Sequence, residues 1–92
     1  EPGDGLEYSN GGPVILGLVI EALSGVDYYT YIREHVYAPA GMTHAEHYRR
    51  DDGQAGFARG YLPGEDGAWQ DNTAQLSLRG SAAGGGYASA HD

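Results

Sequence analysis

Near the start of the chain, Tyr8, Ser9 and Asn10 set a phenol, a hydroxyl and a carboxamide side by side. A free phenol titrates near 10, too high for a general base at neutral pH. A nearby ammonium, or the positive end of a helix, would favour phenolate and bring it into range. The sequence supplies the helix end. An apolar run extends from Val14 to Leu23, with Glu21 its single charge. Asn10 can accept hydrogen bonds from first-turn N–H groups, and Pro13 suits a position that needs no N–H. Gly25 tolerates the left-handed conformation of a helix stop. The ammonium is missing: the five basic residues are Arg33, Arg49, Arg50, Arg59 and Arg79, and there is no lysine. Tyr8 and Asn10 are of types that could move a proton and donate or accept hydrogen bonds at a helix start. The plainer reading is an aromatic beside a helix cap, with Asn10 serving as the cap.

Other chemistry is poorly supported. Ser9, Ser24, Ser77, Ser81 and Ser89 are followed three residues on by Gly12, Asp27, Gly80, Gly84 and Asp92, never by lysine. There is no Gly-x-Ser-x-Gly elbow either. A serine without a positioned base is a poor nucleophile, so these residues alone are expected to lack acyl-transfer activity. His44, His47, Asp51 and Asp52 are metal-capable types, but the stretch lacks helical patterning and any His-Glu-x-x-His. It reads as a solvated surface loop, and neither metal nor cofactor is expected. His35 and His91 read as exposed polar positions. Gly84 to Gly86 lack the flanking residues of a phosphate cradle.

Composition narrows the partners. A formal charge of −8 over 92 residues argues against nucleic acid and anionic membrane surfaces, which need a basic face. Without cysteine there is no disulfide framework and no thiolate metal site. The apolar run falls short of the roughly 20 residues of a membrane span.

Residues 1–92 read as one unit with a helical first half and a Gly-rich, irregular second half. Glu1 to Glu7 is a polar lead-in that delivers Tyr8. A helix that is apolar on all sides belongs inside a larger body. Asp27 is a good N-cap for a second helix, Tyr28 to about Tyr37, and the short gap predicts an αα-hairpin. Tyr28, Tyr31, Ile32 and Val36, with Tyr29, form its apolar stripe, opposite Arg33, Glu34 and His35. Pro39 and Gly41 end it, with Met42 tucked beneath. Thr43 to Ala55 reads as surface loop. Turn chemistry at Pro63 to Gly67 predicts a short hairpin, Phe57–Leu62 against Ala68–Asp71. Gly80 to Gly86 permits close backbone approach. Ser89, with Asp92 three residues on, marks a helix N-terminus that would continue past Asp92.

Tyr8-Ser9-Asn10 resembles the second, Tyr-x-Asn motif of the serine β-lactamases and penicillin-binding proteins of class C type. That family includes D-alanyl-D-alanine carboxypeptidases and related esterases. The resemblance extends in order through Pro2-Gly3, Leu16 to Glu21, Gly25, Pro39-Ala40-Gly41-Met42, Ala58-Arg59-Gly60-Tyr61 and Ala83-Gly84-Gly85-Gly86-Tyr87. Gly12-Pro13 departs from it, standing where the family has an aromatic-containing stretch. The resemblance implies a fragment of the helical subdomain of a β-lactamase-like α/β fold. It implies a serine hydrolase acting by acyl transfer on β-lactams, D-alanyl peptides or esters, without cofactor. The resemblance makes Tyr8 and Asn10 the candidate catalytic residues: in the family, the tyrosine moves protons to and from the serine of a Ser-x-x-Lys motif, while the asparagine positions the substrate amide and the lysine. It also implies a cell-envelope or secreted location, although the composition is compatible with the cytoplasm. The competing reading is a non-catalytic helical module that self-associates through its first helix, as a homo-oligomer.

Overall fold

The computed structural model describes residues 3–52 and 56–92. Three expectations fall partly on Glu1, Pro2 and Gly53 to Ala55, outside the described residues: the opening of the lead-in, the Pro2 part of the resemblance, and the end of the Thr43–Ala55 loop.

Helix α1 spans Gly11–Ser24. Pro13 lies in its first turn, where a missing N–H breaks no ladder. Gly25 ends it at φ 76°, donating its N–H to the Glu21 carbonyl at 2.9 Å. The expected cap at Asn10 does not form: Asn10 has αR backbone angles (φ −80°, ψ −15°) and its side chain caps nothing. Capping needs extended backbone to swing the side chain over the first turn. Ser9 takes the nearest orphan donor instead, its Oγ accepting from Gly11 N–H at 3.2 Å.

Helix α2 spans Tyr28–Ile32 and widens into a π turn, Arg33–Tyr37. Asp27 caps it as expected, accepting from Thr30 N–H at 3.0 Å and Thr30 Oγ1 at 2.6 Å. Glu21, the lone charge of α1, reaches across to accept from Tyr28 N–H at 2.8 Å. Two carboxylates thus satisfy the positive end of α2 and fix the corner. The corner is not an antiparallel hairpin, since the helices meet at 83°. The wide turn also shifts the apolar stripe by one residue. Val36 is left exposed, and Tyr37 faces inward in its place.

The segment read as surface loop holds Ala45 and His47, two of the three buried positions among the described residues. Glu46 pairs with Tyr87 through two main-chain hydrogen bonds of 3.0 and 2.9 Å, which turns His47 inward. Its ring, only 5% exposed with its residue, sits among Tyr28, Tyr29 and Tyr37 at centroid distances of 5.8, 5.6 and 6.4 Å. Arg79 closes the far side, donating to the His47 carbonyl at 2.5 Å and lying 3.6 Å over the Tyr29 ring. The Tyr29 hydroxyl donates to the Gly80 carbonyl at 2.8 Å.

The expected hairpin forms with a shorter first strand: β1 (Tyr61–Pro63) runs antiparallel to β2 (Trp69–Asp71), with Leu62 opposite Gln70. Tyr61 and Trp69 remain exposed on it. At its exit Asp71 accepts from Thr73 Oγ1 and Thr73 N–H and pairs with Arg59, which holds its carboxyl near a pKa of about 2. Ser89 N–H donates to Asp92 at 2.8 Å, the reciprocal half of a capping box.

These contacts leave the chain drawn out. Its Cα radius of gyration is 16.4 Å, against roughly 12 Å for a compact domain of this length. On α1 only Gly17 is buried, while Ile15, Leu16, Leu18 and Leu23 face solvent. A Cβ at Gly17 would lie 2.9 Å from Ala82 Cβ, and Tyr28 borders the same spot. This contact seats the glycine-rich turn on α1. Among the described residues, no single helix is long and apolar enough to cross a membrane.

Two outcomes follow for the full-length gene product containing residues 1–92. Gly17→Val should cost about 1–3 kcal/mol by overpacking. Ala82→Gly should recover part of that loss in a double-mutant cycle of thermal melts; strict additivity would contradict the contact. The second concerns acid. Burial pushes the His47 pKa below its usual 6.5. Burial also raises the Glu46 carboxyl, but Arg33 and the His47 N–H outweigh it and hold the pKa below 4.5. At neutral pH both contributions are complete. Below about 6.5 the unfolded chain binds a proton that folded His47 resists, so stability falls; near 4.5 the Glu46 contribution begins to go as well. His47→Phe should flatten the first window only, read from melting temperature against pH.

Candidate functional site

Tyr8 and Asn10 are brought together. Asn10 has the helical backbone angles that deny it the cap, and these leave its carboxamide beside the phenol. The Tyr8 hydroxyl donates to Asn10 Oδ1 at 3.0 Å. Tyr8 itself is 83% exposed, so the hydroxyl is not sealed in an interior. Among the described residues, Asn10 Nδ2 has no hydrogen-bond partner and remains a free donor. The pair stands at the N-terminus of a 14-residue helix with no acidic residue in its first turn. No carboxylate of that first turn offsets the positive end of the helix dipole.

Beside the pair opens a cavity of about 610 Å³. Tyr8, Asn10 and Val14 form one side; Tyr48 and Arg50 contribute from the segment after His47; Leu76, Ser77 and the glycine-rich turn through Tyr87 complete the lining. The turn reaches the cavity because its residues are small. Ser81 and Gly84 exchange hydrogen bonds of 2.8 and 2.9 Å, and a Cβ on Gly80 would fall 2.5 Å from the Gly85 carbonyl oxygen. Gly84 and Gly85 have φ of 141° and 82°, which only glycine adopts readily. Tyr87 is held by Phe57, with ring centroids 5.0 Å apart, and by the main-chain bridge to Glu46. The arrangement offers a phenol, a carboxamide donor and a helix dipole around a space large enough for a small molecule.

The metal-capable residues do not converge. His44 is exposed, touching Thr43 Oγ1 and lying 3.9 Å from Asp92. His47 is enclosed by tyrosines. Asp51 makes a two-point pair with Arg49 at 2.9 and 2.8 Å, and Asp52 accepts from Arg49 N–H. Among the described residues there is no group of three or more metal-capable side chains. His35 and His91 are exposed.

Sequence reasoning missed Tyr48, Arg50, Leu76 and Ser77. Each lies in a stretch without hydrophobic period, and only long-range packing brings them to the cavity. The glycine run was the one visible signal.

Comparison with known proteins gives the setting. The family model described as Beta-lactamase matches residues 1–92. Penicillin-binding protein 4* of Bacillus subtilis (strain 168) is 42% identical over 50 residues, covering 54% of this chain and 11% of that protein. A putative penicillin-binding protein, PbpX, of the same organism is 36% identical over 55 residues, covering 60% of this chain and 14% of its own. The chain thus spans between 11% and 14% of the length of these relatives. Among solved structures, a penicillin binding protein from Bacillus halodurans superposes with a TM-score of 0.86 at 38% identity, covering 98% of this chain and 28% of that one. An octameric penicillin-binding protein homologue from Pyrococcus abyssi superposes with a TM-score of 0.67 at 28% identity, covering 88% and 19%.

Because the Asn10 side chain does not cap α1, Asn10→Ala should lower stability by less than about 0.5 kcal/mol, where losing a true N-cap costs about 1 kcal/mol. Thermal melting of the full-length gene product checks this, and a loss of about 1 kcal/mol or more would put the cap back on Asn10.

Proposed function

The chain belongs to the beta-lactamase family, and we propose that its Tyr8–Asn10 pair is the proton-transfer and substrate-positioning part of a serine hydrolase acting by acyl transfer. The observation that carries this reading is the Tyr8 hydroxyl, exposed at the mouth of the cavity and bonded to Asn10 Oδ1 at the N-terminus of α1. The substrate is a small molecule or peptide with a reactive carbonyl: a β-lactam, a D-alanyl peptide or an ester. Tyr8 carries the proton between nucleophile and leaving group. Asn10 Nδ2 donates to the substrate amide, while its Oδ1 keeps the phenol in place. The serine and the ammonium that this scheme needs come from residues outside these 92, because there is no lysine here and no serine is followed by one three residues on. Residues 1–92 on their own are accordingly inactive. No cofactor enters the scheme.

A second reading draws on α1. Its apolar sides face solvent along most of its length, which favours a role in association, including with a second copy of the chain. A protein that stays strictly monomeric in light scattering would count against that role.

The catalytic reading is tested in the full-length gene product by hydrolysis of nitrocefin and nitrophenyl esters. Tyr8→Phe should lower kcat about a hundredfold or more, in the range general acid–base groups supply, while leaving the melting temperature nearly unchanged. Activity equal to wild type would remove Tyr8 from the role.

A further inference from the structure

The cavity wall made by Leu76 and Ser77 belongs to a segment with little of its own to hold it. Residues 73–78 contain one short 3₁₀ turn, Thr73–Gln75, and Leu76 and Leu78 are 44% and 43% exposed. The internal bonds are local: Gln75 N–H to Asn72 and Leu76 N–H to Thr73, at 2.8 and 3.2 Å. Among the described residues, every hydrogen bond that ties residues 73–78 to a distant part of the chain is donated by Arg50. Its main-chain N–H meets the Leu78 carbonyl at 2.7 Å. Its Nη1 meets the carbonyls of Thr73, Ala74 and Leu76 at 3.3, 2.9 and 2.7 Å.

The chemistry suits the place. The Thr73 carbonyl also accepts within the turn, from Leu76 N–H, while the carbonyls of Ala74 and Leu76 lie at or past its end, where carbonyls lack partners within the turn. A guanidinium, always charged and rich in donors, satisfies several at once. Arg50 itself borders the cavity and, among the described residues, is the one lining residue with a formal charge. It starts a short turn, Arg50–Asp52, anchored next to the Arg49–Arg79 bridge that leads into the glycine run.

We propose that Arg50 is a positioning residue for the site: it fastens the Leu76–Ser77 wall of the Tyr8 cavity, and thereby sets how tightly substrate is held. This rests on the proposed function of that cavity. Arg50 acts through the wall and not by touching the reacting atoms. Its loss therefore weakens binding and leaves the chemical step to Tyr8 and Asn10.

The test uses the full-length gene product with Arg50→Gln and Arg50→Lys. Arg50→Gln should raise KM about tenfold with kcat changed less than about twofold, the pattern of lost binding common to ground and transition states. The rise should be similar for a carboxylate-bearing β-lactam and a neutral ester. Arg50→Lys, which keeps three donors on one charged atom, should recover most of it. Amide hydrogen exchange should quicken in residues 73–78 of Arg50→Gln and not in α1. Loss confined to the anionic substrate would overturn the proposal in favour of direct charge contact. So would a fall in kcat at constant KM, or unchanged exchange in residues 73–78. Tyr8→Phe assayed alongside separates the two ideas: wild-type activity there, with altered KM in Arg50→Gln, would sink the role of Tyr8 and not that of Arg50.

Discussion

The approach of Gly17 to Ala82 is the constraint on which the remaining geometry rests. It brings the glycine-rich turn against α1 at a distance that leaves no room for a further carbon. Gly17 is the one buried residue among the described residues of α1, and this notch sets where the turn sits relative to the helix start. The turn then folds on itself through Gly80, Gly84 and Gly85, and presents its small residues to the space beside Tyr8. A bulkier residue at any of these contacts would lift the turn away and spread the cavity open. The phenol would remain, but nothing would face it.

A second set of contacts holds the turn from behind. His47 fills a bowl of three tyrosines, Tyr29 bonds the Gly80 carbonyl, and Arg79 spans both. Here a polar residue takes the position that a leucine would hold in an ordinary core. Its ring is desolvated, so it is kept neutral. Side chains bonding to main chain do much of the remaining work: Glu21 and Asp27 at the helix corner, Arg50 at the 3₁₀ turn, Asp92 at Ser89. Such bonds define geometry well but add little stability where water reaches them. The exposed sides of α1 are the reserve of hydrophobic free energy this chain leaves unspent.

Local signals made much of this legible from the residues. Asp27 and Gly25 marked helix ends because capping is chemistry within four residues. Pro63 to Gly67 marked the hairpin for the same reason. The glycine run pointed to close approach because no other residue tolerates it. What local pattern missed was long-range. His47 lies in a stretch without period, and its burial depends on tyrosines far back in the chain and on Gly86. Arg50 reaches carbonyls more than twenty residues away. Asn10 looked like a cap because residue type, not backbone angle, was visible. The same angle that removes the cap frees its oxygen for Tyr8, so that error concerned the very group on which the site depends. Family resemblance brought Tyr8 forward; its exposure and its bond to Asn10 are what the structure adds.

The central claim is that the Tyr8 phenol, at the mouth of α1, faces a serine supplied by another part of the protein. The most direct measurement is a crystal structure of the full-length gene product acylated by a slowly released β-lactam or a fluorophosphonate. The account predicts the Tyr8 hydroxyl within hydrogen-bond reach of the modified serine oxygen, about 2.6–3.2 Å, with Asn10 still its neighbour. A modified serine whose oxygen lies well beyond that reach, with Tyr8 turned toward bulk solvent, would contradict it.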